Sequence, residues 1–307
     1  MKKYAFVTGL LAAILVICLL LTGAYVKKQE KTVPEGDFLV VTSFYPMYIA
    51  AMNLTEGVEG LQLENLSEPQ TGCLHDFQLT PEDMKLLSGA DLFLVNGGGI
   101  ESFLTEVAEA YPGLTILEAC GDLQLLKEES LGEEEENAHA WMSIPAYRQI
   151  IETMSRGLAL ADPAHADLYE KNRRTYDSKL ATLQEQQEGL ASLLKGTKII
   201  SFHEAYAYVA EDYGLEIVST MDLDEERQVS AGEVAQVLSA IDEEGVDLIL
   251  AEELYGSGMG QTILQEREVS VLYLDPLTRG EYEADAYLEG MEANQLLLQE
   301  YAGKRIQ

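Results

Sequence analysis

The sequence predicts an α/β protein of two lobes joined by one long helix, on three observations. Short apolar runs alternate with helix-forming stretches between residues 38 and 162. The same alternation resumes after Lys195-Gly196. Between them, from Pro163 to Leu194, lies a stretch rich in Glu, Gln, Lys, Leu and Ala, with Gly189 as its single glycine and no second proline, which reads as one helix. The expected organisation is an N-terminal lobe over 38–162, a connecting helix over 163–195 and a C-terminal lobe over 196–307. A hydrophobic segment (1–28) and a polar linker (29–37) precede them.

The chain opens with two lysines, carries no charged residue from Tyr4 to Val26, and then has Lys27 and Lys28. An apolar run of that length is long enough to span a bilayer, so an uncleaved membrane anchor is expected. A cleaved export signal ending near Thr22-Gly23-Ala24 is the alternative. Either reading places the remainder on the extracytoplasmic side. Cys18, in Leu15-Val16-Ile17-Cys18, only faintly resembles a lipoprotein acylation site, because Ile17 stands where a small residue is expected.

Within the first lobe, Phe38 to Phe44 is an apolar run ended by Tyr45-Pro46 and reads as a buried strand. Further strands are expected at Gly60 to Leu66, Asp91 to Asn96 and Leu114 to Glu118. Thr80 followed by Pro81-Glu82-Asp83 is a helix start, with the threonine as cap. Gly97-Gly98-Gly99 ends a strand and lacks the downstream spacing of a phosphate loop. In the second lobe, strands are expected at Lys198 to Ser201, Glu216 to Thr220, Asp247 to Ala251 and Val269 to Leu274.

The chain has 53 acidic and 20 basic residues, a formal net charge of -33. Such a surface repels a phosphate backbone, which excludes nucleic acid as a partner, and attracts small cations. Lys127 to Glu136 concentrates this charge in a stretch expected to be a loop, serving either weak cation capture or only solvation. Three cysteines do not make a disulfide scaffold; Cys73 and Cys120 are either a pair or two buried thiols.

Three of the four histidines occupy comparable places. His75 follows the loop after a strand, His139 follows the acidic stretch, and His203 closes a strand; each lies 64 positions from the next. That spacing is too wide for a finger or a helical His-x-x-x-His site, so any shared site is assembled by tertiary folding. Ligands of open α/β sheets collect beyond the carboxyl ends of the strands. Imidazole suits zinc, whereas manganese prefers more carboxylate oxygen. His165, in the first turn of the long helix, is assigned no role.

These residues lie in motifs that occur in order: Thr42-Ser-Phe-Tyr-Pro46, His75-Asp-Phe-Gln-Leu-Thr-Pro81, the Asp91 to Gly97 strand, His139-Ala-Trp-Met-Ser143, Phe202-His203-Glu-Ala-Tyr206 and Leu274-Asp275-Pro-Leu277. Over roughly Leu39 to Gln299 the chain resembles the metal-binding solute-binding proteins of ABC importers, zinc-uptake type. The resemblance implies two similar α/β lobes with one metal in the cleft between them, held by His75 and His139 from the first lobe and His203 and Asp275 from the second. It further implies capture of Zn2+ and delivery to an ABC permease in the membrane, by a protein expected to be a monomer and not an enzyme. Asn137-Ala138 departs from the Asp-Pro common before the second histidine, and the acidic stretch lacks the histidines often found there.

Other readings stay open beside it. A manganese-binding homologue would carry Glu where His203 stands. Asp275 is either a direct ligand or a partner of a histidine N–H with water as fourth ligand. Three histidines with an open position also describe a zinc hydrolase, although Asp76 and Glu204, the acids beside the ligands, are expected to alternate away from them. An adhesin or surface scaffold stabilised by metal is the third class. Glu252 and Glu253, at a strand end, are read as support for the ligands or as solvated caps.

Overall fold

The apolar run after the linker forms β1 (Phe38–Thr42), and helix α1 (Tyr45–Leu54) follows with Pro46 in its first turn. Next come β2 (Leu61–Asn65), α2 (Pro81–Ser88), β3 (Leu92–Val95), α3 (Leu104–Ala110) and β4 (Thr115–Glu118). The computed structural model describes residues 37–69, 74, 77–130, 133–221, 223 and 229–305. The expected anchor or signal at 1–28 lies outside them; among the described residues no helix is long and apolar enough to cross a membrane.

The four strands are parallel in the order β2-β1-β3-β4. A parallel sheet is covered on both faces, so its central strands read as unbroken apolar runs. Accordingly β1 and β3 are buried almost throughout, whereas the edge strands β2 and β4 are half-buried or exposed. Thr80 starts α2 as expected: its hydroxyl accepts from Asp83 N–H while Asp83 accepts from Thr80 N–H.

The acidic stretch is not a plain loop. β5 (Lys127–Ser130) and β6 (Glu133–Glu136) pair as an antiparallel ribbon leading directly into Asn137. Helix α4 (Ile144–Ala161) then begins at Ser143, whose hydroxyl caps Ala146 N–H. The long helix α5 (Ala166–Leu194) begins after a single 3-10 turn at Pro163–His165. His165 packs into that turn, its Nδ1 lying 2.7 Å from Asp162 Oδ2.

The second lobe comprises β7 (Lys198–Ser201), α6 (Tyr206–Tyr213), β8 (Glu216–Thr220), α7 (Ala231–Glu244), β9 (Leu248–Ala251), α8 (Glu253–Glu266), β10 (Ser270–Tyr273) and α9 (Ala286–Arg305). Its sheet is again parallel, in the order β8-β7-β9-β10, so the two lobes share one topology. The correspondence extends beyond the strands. Ser43 N–H donates to Leu94 O in the first lobe and Phe202 N–H to Leu250 O in the second. Phe44 and His203, one residue further on, therefore hold equivalent positions.

Helix α5 packs on α1 and α4 and also on α6 and α9. At this junction Tyr147 and Tyr287 stack with centroids 3.7 Å apart, and Tyr176 meets Tyr147 edge-on at 6.3 Å. All three rings are buried. Behind them Ser143 Oγ, on the first lobe, donates to Asp212 Oδ1 on α6 at 3.1 Å.

Burial raises the Asp212 carboxyl to about 6, opposed by contacts with Gln187, Ser143 and the Ile144 amide. The native state therefore holds this proton more tightly than the unfolded chain does. Stability falls as pH rises from about 4 to about 6, by up to about 3 kcal/mol, and the loss persists above that window. Asp212→Asn keeps an oxygen acceptor for Ser143 and removes the charge. Thermal melts of this variant are expected to show a higher midpoint than wild type at pH 8 and a similar one at pH 4; a lower midpoint at pH 8 would contradict this.

Candidate metal centre

The loop that carries His139 is fixed from the end of β3. Asn96 Nδ2 donates to Ala138 O and to Gly97 O, both at 2.9 Å. Buried Glu101 accepts from Asn96 N–H at 2.7 Å and Gly97 N–H at 3.0 Å, and burial pushes its carboxyl up. Gly98 has φ +67, and a Cβ there would stand 2.7 Å from Leu125 and 3.2 Å from the Ala138 Cβ. The glycine run thus lets the His139 loop close onto the strand end, beyond merely stopping the strand.

His139 is fully buried. Its Nδ1 lies 3.1 Å from Asn137 Oδ1 and 3.4 Å from Glu204 Oε1. Both neighbours are acceptors, which assigns the proton to Nδ1 and makes Nε2 the acceptor nitrogen of the ring. Glu204 was expected to alternate away from the site. It does not, because β7 ends at Ser201 and the chain turns at residues 202–205, where the two-residue alternation of a strand no longer applies.

His203 stands beyond the carboxyl end of β7, which pairs with both β8 and β9 at the point where strand order reverses. Ser201 Oγ donates to His203 O at 2.6 Å and clasps this turn. The His203 ring is 1% exposed and meets His139 edge-on, with centroids 5.1 Å apart and planes at 76°. Two imidazoles on one tetrahedral zinc, with bonds of about 2.0–2.1 Å, have ring centroids about 5 Å apart. The pair drawn from the two lobes therefore suits a shared ion.

Asp275 follows β10, and its neighbours are pinned to the residues around the histidines. Tyr206 OH donates to Leu274 O at 2.6 Å, and Trp141 Nε1 donates to Pro276 O at 2.8 Å. Tyr206 and Trp141 in turn lie 5.6 Å from the His203 ring and 4.9 Å from the His139 ring. The Asp275 carboxylate accepts from Leu277 N–H at 2.7 Å, and Leu277 takes the left-handed φ of 58. Such a conformation costs a non-glycine residue about 1–2 kcal/mol. Although Asp275 keeps solvent access, surrounding protein raises its carboxyl, opposed by the Leu277 amide and Arg279.

The structure thus brings His139 and His203 together, with Asp275 on a loop tied to both. His75 and Asp76 lie outside the described residues, as does Cys73, while Cys120 is a buried thiol 3.5 Å from Asn96 Oδ1. Among the described residues, no group of three or more His, Cys, Asp and Glu forms a ready cation site. Glu252 is buried and pairs with Arg279 at 2.8 Å, and Glu253 is an exposed acid in the first turn of α8.

Sequence reasoning missed the strap formed by residues 276–285. Gly280 N–H donates to Pro69 O at 3.1 Å, upstream of His75 in the sequence, and Tyr45 OH donates to Glu281 O at 2.9 Å. Tyr282 OH donates to Ser67 O and accepts from Asn65 Nδ2, while its ring lies 4.3 Å from that of Tyr48. The strap ties the segment leading to His75 to the segment leaving Asp275.

Two parallel-sheet lobes of one topology, with buried imidazoles meeting between them, are the layout of a two-lobed solute-binding protein. The profile of the family described as zinc-uptake complex component A, periplasmic (ZnuA), matches residues 40–301, and the chain belongs to this family. The zinc-binding protein AdcA of Streptococcus pyogenes serotype M1 is 27% identical over 81% of this chain, which spans only 52% of that protein's length. The high-affinity zinc uptake system protein ZnuA of Bacillus subtilis (strain 168) is 27% identical over 82% of this chain and 83% of its own. In fold, the chain is similar to the SBP FpvC of P. aeruginosa, solved with Ni2+, at a TM-score of 0.74 and 24% identity over 86% of this chain and 98% of that one.

Tyr206→Phe removes the donor to Leu274 O while keeping the buried ring. Denaturant unfolding is expected to show a loss of about 1–3 kcal/mol, the cost of an unsatisfied buried carbonyl. A loss below about 0.5 kcal/mol would show that this bond does not hold the Asp275 loop.

Proposed function

We propose that this protein captures Zn2+ on the extracytoplasmic side through His75, His139, His203 and Asp275 and delivers it to an ABC permease. The observation that carries the reading is the His139–His203 pair, one ring from each lobe, buried and 5.1 Å apart. Membership in the zinc-uptake family supports it, as do the two relatives named for zinc.

Three neutral imidazoles and one carboxylate make a four-coordinate set that favours zinc over harder ions. Asp275 is the proposed fourth ligand; its raised proton affinity fits a carboxylate that a cation would discharge. The net charge of -33 supports attraction of cations at long range, weakened by salt. No chemical step is required, and the ion is cargo. An N-terminal anchor would keep the protein near the permease.

Trp141 is the only tryptophan of the sequence and its ring lies 4.9 Å from that of His139, so its fluorescence is a direct reporter. Titration with Zn2+ and competing Mn2+ is expected to give zinc binding with a Kd well below about 1 μM. His203→Glu is expected to shift preference toward manganese, and Asp275→Ala to weaken zinc binding. Wild-type protein that holds neither ion below about 1 μM would overturn the reading.

Release is proposed to proceed by movement of the 276–285 strap, because α5 and the buried tyrosines join the lobes too closely for wide opening. Tyr282→Ala, which severs the strap from Ser67 and Asn65, is expected to accelerate zinc loss in a stopped-flow chelator assay with little change in the on-rate. An unchanged off-rate would count against this route.

A further inference from the structure

We propose that Asn137 is a positioning residue that holds His139 in its metal-accepting tautomer and ties the ligand loops of the two lobes into one unit. This inference rests on the zinc-capture reading above. Asn137 is 3% exposed and lies on the first lobe. Its Oδ1 accepts from His139 N–H at 3.0 Å and lies 3.1 Å from His139 Nδ1. Its Nδ2 donates to Glu204 O at 3.0 Å, in the second lobe, one residue after His203. Its own carbonyl accepts from Tyr208 OH at 2.8 Å, and that hydroxyl accepts from Leu126 N–H at 3.1 Å.

The arrangement requires a carboxamide. Only a side chain with both an oxygen acceptor and an N–H donor can serve the His139 nitrogens and the Glu204 carbonyl together. The orientation of the amide is also forced. Turned over, its NH2 would face the His139 N–H and its oxygen would face the Glu204 carbonyl, two like-against-like contacts in a buried place. Aspartate would supply the acceptor but not the donor, and would set a second carboxylate beside Glu204 Oε1, which already lies 3.4 Å from His139 Nδ1.

Two consequences follow for the ion. With Nδ1–H held, Nε2 is the ligating atom before zinc arrives, so no proton has to change sides on binding. With Nδ2 on Glu204 O, the His139 loop and the His203 turn move together, and separating the two proposed ligands requires breaking a half-buried interlobe hydrogen bond.

The test uses the full chain labelled with 15N only at its four histidines, read by imidazole nitrogen shifts without metal, together with zinc affinity and off-rate. Wild-type His139 is expected to show a single tautomer protonated at Nδ1. Asn137→Ala is expected to mix the tautomers and weaken zinc binding about 10–100-fold. Asn137→Asp is expected to restore the single tautomer yet release zinc faster than wild type, because the donor to Glu204 is gone; a residue that mattered only for stability would not separate these readouts. Asn137→Ala with the wild-type tautomer and zinc affinity within about twofold of wild type overturns the proposal. If Asn137→Ala does not fold, Asn137→Asp decides it, and a wild-type off-rate overturns it. A wild-type protein that binds no zinc overturns the capture reading instead, while the metal-free tautomer pattern still decides how His139 is held.

Discussion

The site depends on Trp141, buried between the lobes and fixed at both polar ends. Its indole N–H donates to Pro276 O, and its own carbonyl accepts from Tyr287 OH at 2.7 Å. A typical hydrogen bond contributes only about 1 kcal/mol net, but leaving one of these buried partners unsatisfied costs about 1–3 kcal/mol. The first contact sets the Asp275 loop against the His139 loop, and the second sets both against α9. Phe44 closes the arrangement, edge-on to Trp141 at 5.0 Å. Because Phe44 and His203 hold equivalent positions in two lobes of one topology, the first lobe uses this position for packing and the second for a proposed ligand.

Charge is arranged differently near and far from the centre. The surface is strongly acidic overall, which draws cations within about a Debye length, ~8 Å at physiological salt. Near Asp275 one carboxylate is neutralised, since Arg279 pairs with buried Glu252 and lies over the Tyr255 ring at 5.6 Å. A buried carboxylate without such a partner would compete for the ion or take up a proton. Arg279 thereby limits the carboxylates free to bind, consistent with an imidazole-dominated set rather than an oxygen-rich one.

Much of the fold was legible because a parallel sheet requires unbroken apolar central strands, and Phe38 to Phe44, Leu92 to Val95 and Leu248 to Ala251 are such runs. The long helix was legible from composition, apart from the opening turn that Pro163 forms. The β5–β6 ribbon was not, since glutamate has poor strand propensity and the register sets Glu128 opposite Glu135 and Glu129 opposite Glu134. Glu204 was misplaced by carrying strand alternation past the end of a strand. The Tyr282 strap was invisible because its partners Ser67 and Asn65 lie more than 200 residues away. Asn137, noticed only as a departure from a pattern, turned out to have each of its polar groups engaged.

In the proposed function one zinc ion is held by imidazoles from both lobes and by the carboxylate that follows β10. X-ray absorption at the zinc edge of the loaded protein tests it most directly. Four-coordinate zinc with three imidazole nitrogens and one oxygen at about 2.0–2.1 Å is expected, with loss of one imidazole in His203→Ala. A six-coordinate oxygen shell, or a spectrum unchanged by His203→Ala, would contradict it.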